Sequence, residues 1–426
     1  MKKVNYIVCL CFIMMGTKTY SQTYTLEQCQ RAAIENNRKL QNARLEIEIA
    51  RQGKQEAFTS FFPKISASGV VFQGFNPILQ ADMALPEMGV MPLSLMKKGT
   101  VASIMAIQPV FAGLQIVYGN KLAGLQKEVS LLQSYLTEKE VRQKTSEYFW
   151  QLASLHSKLA TLQTVDKQLL EIYRQVEVSV QAGLTTRNDL LRVELRRQEI
   201  AGNILSVENG LRISHILLAQ HIGVPKDSLK VTSQLLLEPD MPDQYYIAAQ
   251  EAVLNREEYL LAQKNTEASR YQVRMERGKH LPSVGVGISN VYYNLMDKNV
   301  NNGIVFASVS VPISSWWGGS HGIKKAKLKR MQAENDQQEA EDMLIVDIER
   351  SWSNLQEAYS QIEIARKSVS SATENLRLNK DYYKVGTSTL TELLDAESLY
   401  TESCNNLTST CAEYQCKLTD YMQKTR

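Results

Sequence analysis

Nowhere in its 426 residues does this chain offer the roughly 20 uninterrupted apolar positions that a membrane-spanning helix needs. If such a chain enters a bilayer, it must do so as strands. Proline is missing from two long stretches: none of the ten falls between Pro109 and Pro225 or after Pro312. Both are therefore free of the residue that most strongly breaks helices. An excess of either charge is lacking too, with 48 basic against 45 acidic residues. Three of those lysines lie in Met1–Ser21, so the remainder is balanced at 45 of each, which argues against nucleic acid as a partner. Of six cysteines, Cys9 and Cys11 lie in the same leading stretch. The other four, Cys29, Cys404, Cys411 and Cys416, are too few for a disulfide framework. A bridge from Cys29 to the C-terminal segment and buried free thiols both remain open. Histidine numbers only five, with no His-Glu-x-x-His, and His215 and His221 are six apart, off any metal-binding helical spacing. Gly113 to Lys121 lacks the spacing of a phosphate loop. No catalytic constellation stands out, so neither an enzyme nor a cofactor is expected.

What is present is periodicity. Met1–Ser21 reads as a secretory signal peptide: Lys2 and Lys3, an apolar run from Tyr6 to Met15, then Thr19-Tyr20-Ser21 as a small-residue cleavage site. No cysteine stands at that junction, so no lipid anchor is expected. Leu26, Ala33, Ile34, Leu40, Ala43, Ile47 and Ala50 then fall on one helical face, and Phe62-Pro63 stops the helix. Alternation predicts strands at about 65–75, with Ile65, Ala67, Gly69 and Val71 on one side, and at about 100–110. Between them, 76–98 reads as a loop with Pro77, Pro86, Pro92 and the methionines Met83, Met88, Met91 and Met96. It suits a receptor or phage surface, a barrel plug or a packed loop. A helical hairpin follows over 114–222; its first arm, Leu114 to Ala182, would be about 100 Å long at ~1.5 Å per residue. His156 falls on the seam of that arm and reads as packed.

The same order then recurs. Residues 22–225 form a first unit, 226–242 a linker and 243–426 a second unit, with strands at about 283–294 and 303–313 and a helical hairpin over 319–424. A shift of 219 pairs Ala33 with Ala252, Asn36 with Asn255 and Pro63 with Pro282. A shift of 203 pairs Pro109 with Pro312, Lys121 with Lys324, Gly183 with Gly386, Thr186 with Thr389 and Glu194 with Glu397. The chain is a duplicated helix, strand, strand, long helix, turn and helix. In each copy a glycine, Gly183 or Gly386, ends the long helix. Thr-x-x-Asp/Glu, Thr186 with Asp189 or Thr389 with Glu392, then opens the return helix as a capping box.

Four half-apolar strands cannot close on themselves, and open edges in lipid leave amides and carbonyls unpaired at several kcal/mol each. Strands must come from several copies, and a symmetric ring joins the edges while stacking the long helices into a tube.

His280-Leu281-Pro282 enters the third strand, and Ser310-Val311-Pro312-Ile313 with Gly318-Gly319 leaves the fourth. Tyr383-Lys384-Val385-Gly386-Thr387-Ser388-Thr389 runs into Glu392-Leu393-Leu394-Asp395-Ala396 at the second turn. With the duplicated order, these motifs resemble the TolC family of outer-membrane efflux and secretion proteins over essentially the whole mature chain. The resemblance implies a mainly α fold with transmembrane β: a homotrimer whose twelve-stranded outer-membrane β-barrel is continued by a periplasmic α-helical coiled-coil barrel. It implies a channel in the Gram-negative outer membrane, set in lipid and extending into the periplasm. A periplasmic adaptor (membrane fusion) protein and an inner-membrane RND or ABC-type pump would be its partners, for efflux or type I secretion. It further implies that Asp189, Tyr383, Glu392 and Asp395 control the tunnel entrance. Gly183, Leu184, Thr186, Gly386, Thr387 and Thr389 would form the tips that dock the adaptor. Ser388 departs from the best-known member of the family, which has arginine there. Trp316 and Trp317 read as an interfacial aromatic belt at the end of the fourth strand. The alternative function is a periplasmic coiled-coil adaptor or scaffold of an export complex.

Overall fold

A computed structural model of the chain describes residues 23–85, 89–225, 229–231, 238–295 and 298–426. The leader Met1–Ser21 and most of the 226–242 linker lie outside the described residues. The first copy comprises β1 (Thr23–Tyr24), α1 (Leu26–Asn36), α2 (Arg38–Thr59), β2 (Lys64–Gln73), β3 (Leu79–Leu85), β4 (Gly89–Met96), β5 (Lys98–Ala112), α3 (Gln115–Gln181) and α4 (Arg187–Ile222). After β6 (Lys230–Val231) come α5 (Ala249–Ala252), α6 (Glu257–Gly278), β7 (Ser283–Leu295), β8 (Lys298–Ser310), α7 (Ser315–Lys384) and α8 (Leu390–Thr425). Two compact units result, and the chain passes between them within α2, α3, α5 and α7.

The unit built from 42–136 and 250–346 holds a four-stranded antiparallel sheet in the order β2-β5-β7-β8. Pairing of β5 with β7 joins the two copies, leaving β2 and β8 as its ends. The alternating apolar residues register across it in rows, as in Ile65↔Ala106↔Ile288↔Val305. That face is uncovered: Ile65, Ile288 and Val305 are 74%, 59% and 83% exposed. On the other face Ser68 and Ser103 share a hydrogen bond of 2.9 Å. There the Phe306 ring lies so close over Gly287 that a Cβ would come within 2.5 Å of it.

Where 76–98 reads as a loop, the backbone instead pairs as the antiparallel ribbon β3–β4, from Leu79↔Met96 to Leu85↔Gly89. Pro92 sits inside it, opposite Asp82. In a two-stranded ribbon every strand is an edge, and an edge tolerates the missing amide of proline. Trp316 and Trp317, expected just past the end of the fourth strand, lie in the first turn of α7. Trp316 donates its indole N–H to the His280 carbonyl at 3.0 Å. At the start of α3, Gly113 has φ 59°, and a Cβ there would stand 2.0 Å from the Gly278 carbonyl oxygen. The two backbones touch, and neither position has room for a side chain.

The helical unit takes the chain up to Gln41, Thr137–Ala249 and Asp347–Arg426. Its core stripe on α3, Leu162, Val165, Leu169, Ile172 and Val176, advances by alternating threes and fours, the step of a coiled-coil seam. It packs on Val193 and Ile200 of α4, Leu376 of α7 and Leu390, Leu393 and Ala396 of α8. Each such aliphatic burial contributes about 1.5–3 kcal/mol. Between Ala153 and Leu162 the stripe is interrupted, so His156 is exposed rather than packed. A groove of about 770 Å³ edged by Lys158, Asn203 and Asn405 opens there. Asn36 and Asn37 donate side-chain amides to the Ile222 and His221 carbonyls, tying α1 to the end of α4. Tyr414 and Tyr421 of α8, both fully buried, hold 240–247 through the Asp240 carbonyl and Ile247 backbone. All four described cysteines are free thiols.

Candidate functional site: the paired helix turns

Both turns lie in the helical unit. At the first, Gly183 is left-handed with φ 72°. Its N–H reaches the Val180 carbonyl at 3.0 Å, and the Leu184 N–H reaches back to Ser179 at 2.8 Å, closing the last turn of α3. Thr186 caps α4 by accepting from the Asp189 amide, while the Asp189 carboxylate accepts from the Thr186 amide and hydroxyl. Thr185 adds a hydroxyl bond of 2.5 Å to the same carboxylate. That bond above all, then those of Thr186, holds the Asp189 carboxyl below its ordinary pKa.

The second turn repeats the first. Gly386 has φ 77°, its N–H reaches Tyr383, and the Thr387 N–H reaches Tyr382 at 2.9 Å. Thr389 caps α8 by accepting from the Glu392 amide, and Glu392 accepts from the Thr389 amide at 2.8 Å. Ser388 donates to Glu392 at 2.7 Å and is the main cause of that carboxyl's lowered pKa. Under the 203-residue shift Ser388 stands where Thr185 does in the first copy. Ser388 thus serves a cap common to both turns.

Of the other expected entrance residues, Asp395 is exposed one turn further along α8, with no hydrogen-bond or ion-pair partner among the described residues. Tyr383 packs against the seam cluster, and its pKa is raised by burial and then by the negative charge of Asp189. No hydrogen bond joins Tyr383 to Asp189. Leu184 is 81% exposed at the first tip, and Thr387 is exposed at the second.

A polar link that sequence patterns did not reveal ties the two return helices together just beyond the caps. Glu397, fully buried on α8, accepts from Arg196 Nε of α4 at 3.0 Å and from the Thr401 hydroxyl at 2.7 Å. Arg192 also donates to the Thr391 hydroxyl. The one sequence signal is an acid on the apolar stripe Leu390, Leu393, Glu397, Thr401, where an unpaired carboxylate would be costly.

The model of the family "Outer membrane efflux protein" matches residues 248–415, which include the second turn and its cap. The chain is similar to outer membrane protein TolC of Escherichia coli (strain K12), 22% identical over 406 residues, or 90% of this chain and 78% of that protein. The chain is thus similar to the TolC family of outer membrane efflux proteins, through the second turn and over most of its length. Solved structures of outer membrane proteins share its fold at low identity. The outer membrane protein VceC of Vibrio cholerae superposes with a TM-score of 0.76 at 12% identity, covering 94% of this chain and 95% of that one. The CmeC outer membrane channel of Campylobacter jejuni gives 0.77 at 16% identity, covering 94% and 85%. The duplicated strand-pair and helical-hairpin order is therefore a fold that this chain shares with these outer membrane proteins.

Proposed function

We propose that this chain is the exit duct of a tripartite efflux or type I secretion machine. It would conduct substrates passively from an inner-membrane pump, RND or ABC-type, and a periplasmic adaptor through the outer membrane. The observation that carries the reading is the four-stranded sheet, apolar and, among the described residues, uncovered on one face and unpaired at both ends, on a chain that also bears two equivalent helix turns. Three copies would close twelve strands, remove every open edge and bring six turns into one ring. Met1–Ser21 would direct export and be removed, with 22–225 and 243–426 as the two repeats about the 226–242 linker.

The turns form the tunnel entrance in this reading. Gly183, Leu184, Thr186, Gly386, Thr387 and Thr389 shape the tips that meet the adaptor, with Leu184 as an exposed apolar anchor. Asp189, Glu392 and Tyr383 hold the tips in shape. Asp395, repeated around the axis, repels its own copies and attracts cations. Cell fractionation followed by electrophoresis tests the assembly: an outer-membrane, heat-sensitive, SDS-resistant trimer is expected, and a soluble periplasmic monomer would favour the adaptor or scaffold alternative. In planar bilayers, Asp395→Asn should weaken block by multivalent cations; unchanged block removes the filter role.

A further inference from the structure

The start of α7 carries a group of side chains that neither the sheet nor the turns use. From Lys298 to Ala333 there is no acidic residue, while Lys324, Lys325, Lys327, Lys329 and Arg330 crowd into seven positions. The four lysines are exposed and have no ion-pair partner among the described residues, whereas Arg330 faces Glu334 at 3.5 Å. Trp316 and Trp317, 52% and 82% exposed, precede them in the first turn of the same helix.

The packing of α7 sets the direction of this group. Gly319 and Gly322 lie against α6 and the segment after it, where a Cβ would come within 2.7 Å of the His280 ring and 2.8 Å of the Glu276 carboxylate. At about 100° per residue, the opposite side of the helix carries Trp317, Lys324, Leu328 and Met331 in one stripe, flanked by Lys325 and Lys327. Leu328 and Met331 are 56% and 53% exposed, so the stripe mixes apolar bodies with cationic heads. From Trp317 the lysines extend about 10–18 Å along the helix.

The duplication supplies an internal control. Shifted by 203, Trp316 and Trp317 correspond to Gly113 and Leu114, and Lys325, Lys327 and Lys329 to Leu122, Gly124 and Gln126. Lys324 has a counterpart in Lys121, but the first copy starts a helix of similar length after its strand without the tryptophans or the other three lysines. They are not needed to build the element.

We propose that this stripe is a binding surface for anionic phospholipid headgroups, in the leaflet nearest the helix-bearing end of the sheet. Exposed tryptophans suit the bilayer interface, and lysines just beyond it attract acidic headgroups within about a Debye length. The inference rests on the outer-membrane reading above. Full-length protein purified in nonionic detergent would be equilibrated with equimolar phosphatidylglycerol and phosphatidylcholine, and the retained lipids counted by mass spectrometry. Phosphatidylglycerol should be enriched about tenfold. The combined Lys324→Gln, Lys325→Gln, Lys327→Gln and Lys329→Gln variant should fall towards parity, and the matching four Lys→Arg changes should keep the preference. If the glutamine variant no longer migrates as the wild-type assembly, Lys324→Gln with Lys325→Gln alone should give an intermediate enrichment. The same enrichment in folded wild type and glutamine variant overturns the proposal. So does a loss of assembly stability in lipid-free detergent that the two-lysine variant also shows, which would make the stripe a subunit contact. Lysine-dependent sedimentation with peptidoglycan at unchanged lipid preference would overturn it in favour of a wall polymer. Retention of neither lipid would count against the membrane reading itself, whereas parity in the wild type removes only the lipid inference.

Discussion

The turns at Gly183–Asp189 and Gly386–Glu392 use the same parts, a left-handed glycine, a threonine cap and a hydroxyl-bonded carboxylate, yet they launch helices of different surroundings. In α4 Glu194 is exposed; its repeat equivalent in α8, Glu397, is fully buried and paired with Arg196. The turn is a local solution that either copy can use unchanged. Burial one turn further on is decided by neighbours, and there the copies diverge.

The sharpest way to break the comparison is to mutate the equivalent acids. Glu397→Leu leaves Arg196 without its buried partner and should destabilise the protein by about 3 kcal/mol, whereas Glu194→Leu should stay within about 0.5 kcal/mol. Thermal melts of the two variants decide this, and equal effects would mean that the buried link holds nothing together. A smaller and symmetric effect is expected at the glycines. Nothing crowds a Cβ at Gly183 or Gly386, so alanine there meets only the backbone cost of the left-handed conformation, about 1–2 kcal/mol at either site. A large difference between Gly183→Ala and Gly386→Ala would show that the turns are not equivalent.

The smallest effect is in pH. Asp189 and Glu392 both have pKa values lowered in the folded state. Their contribution is therefore present above the ordinary carboxylate range and lost as pH falls below about 4. Melting temperature should drop between pH 6 and pH 3, and Asp189→Asn and Glu392→Gln should each flatten that drop. An unchanged slope in both variants would dismiss the caps as its source.

The turns were legible because their signals are local: a glycine and Thr-x-x-acid within seven residues. Strand alternation was legible too, and Ile65, Ile288 and Val305 share the face that their own strands imply. The order of the strands was not, because β5 beside β7 depends on backbone pairing between residues far apart in the chain. The 76–98 segment misleads for a different reason: its prolines signal a break, and only the two-stranded context makes Pro92 harmless. Glu397 hints at a partner by interrupting an apolar stripe, but Arg196 lies 201 residues away, and nothing local selects it.

The central pairing of β5 with β7 also imposes an order in time. Some 170 residues separate Ala112 from Ser283. At about 5–20 residues per second, a ribosome needs on the order of ten seconds or more to make them. Throughout that interval β5 can pair with β2 but not with its other neighbour, and its second edge is available to any passing strand. The chain thus depends on being kept unfolded until its second half exists, for a period set by its own topology.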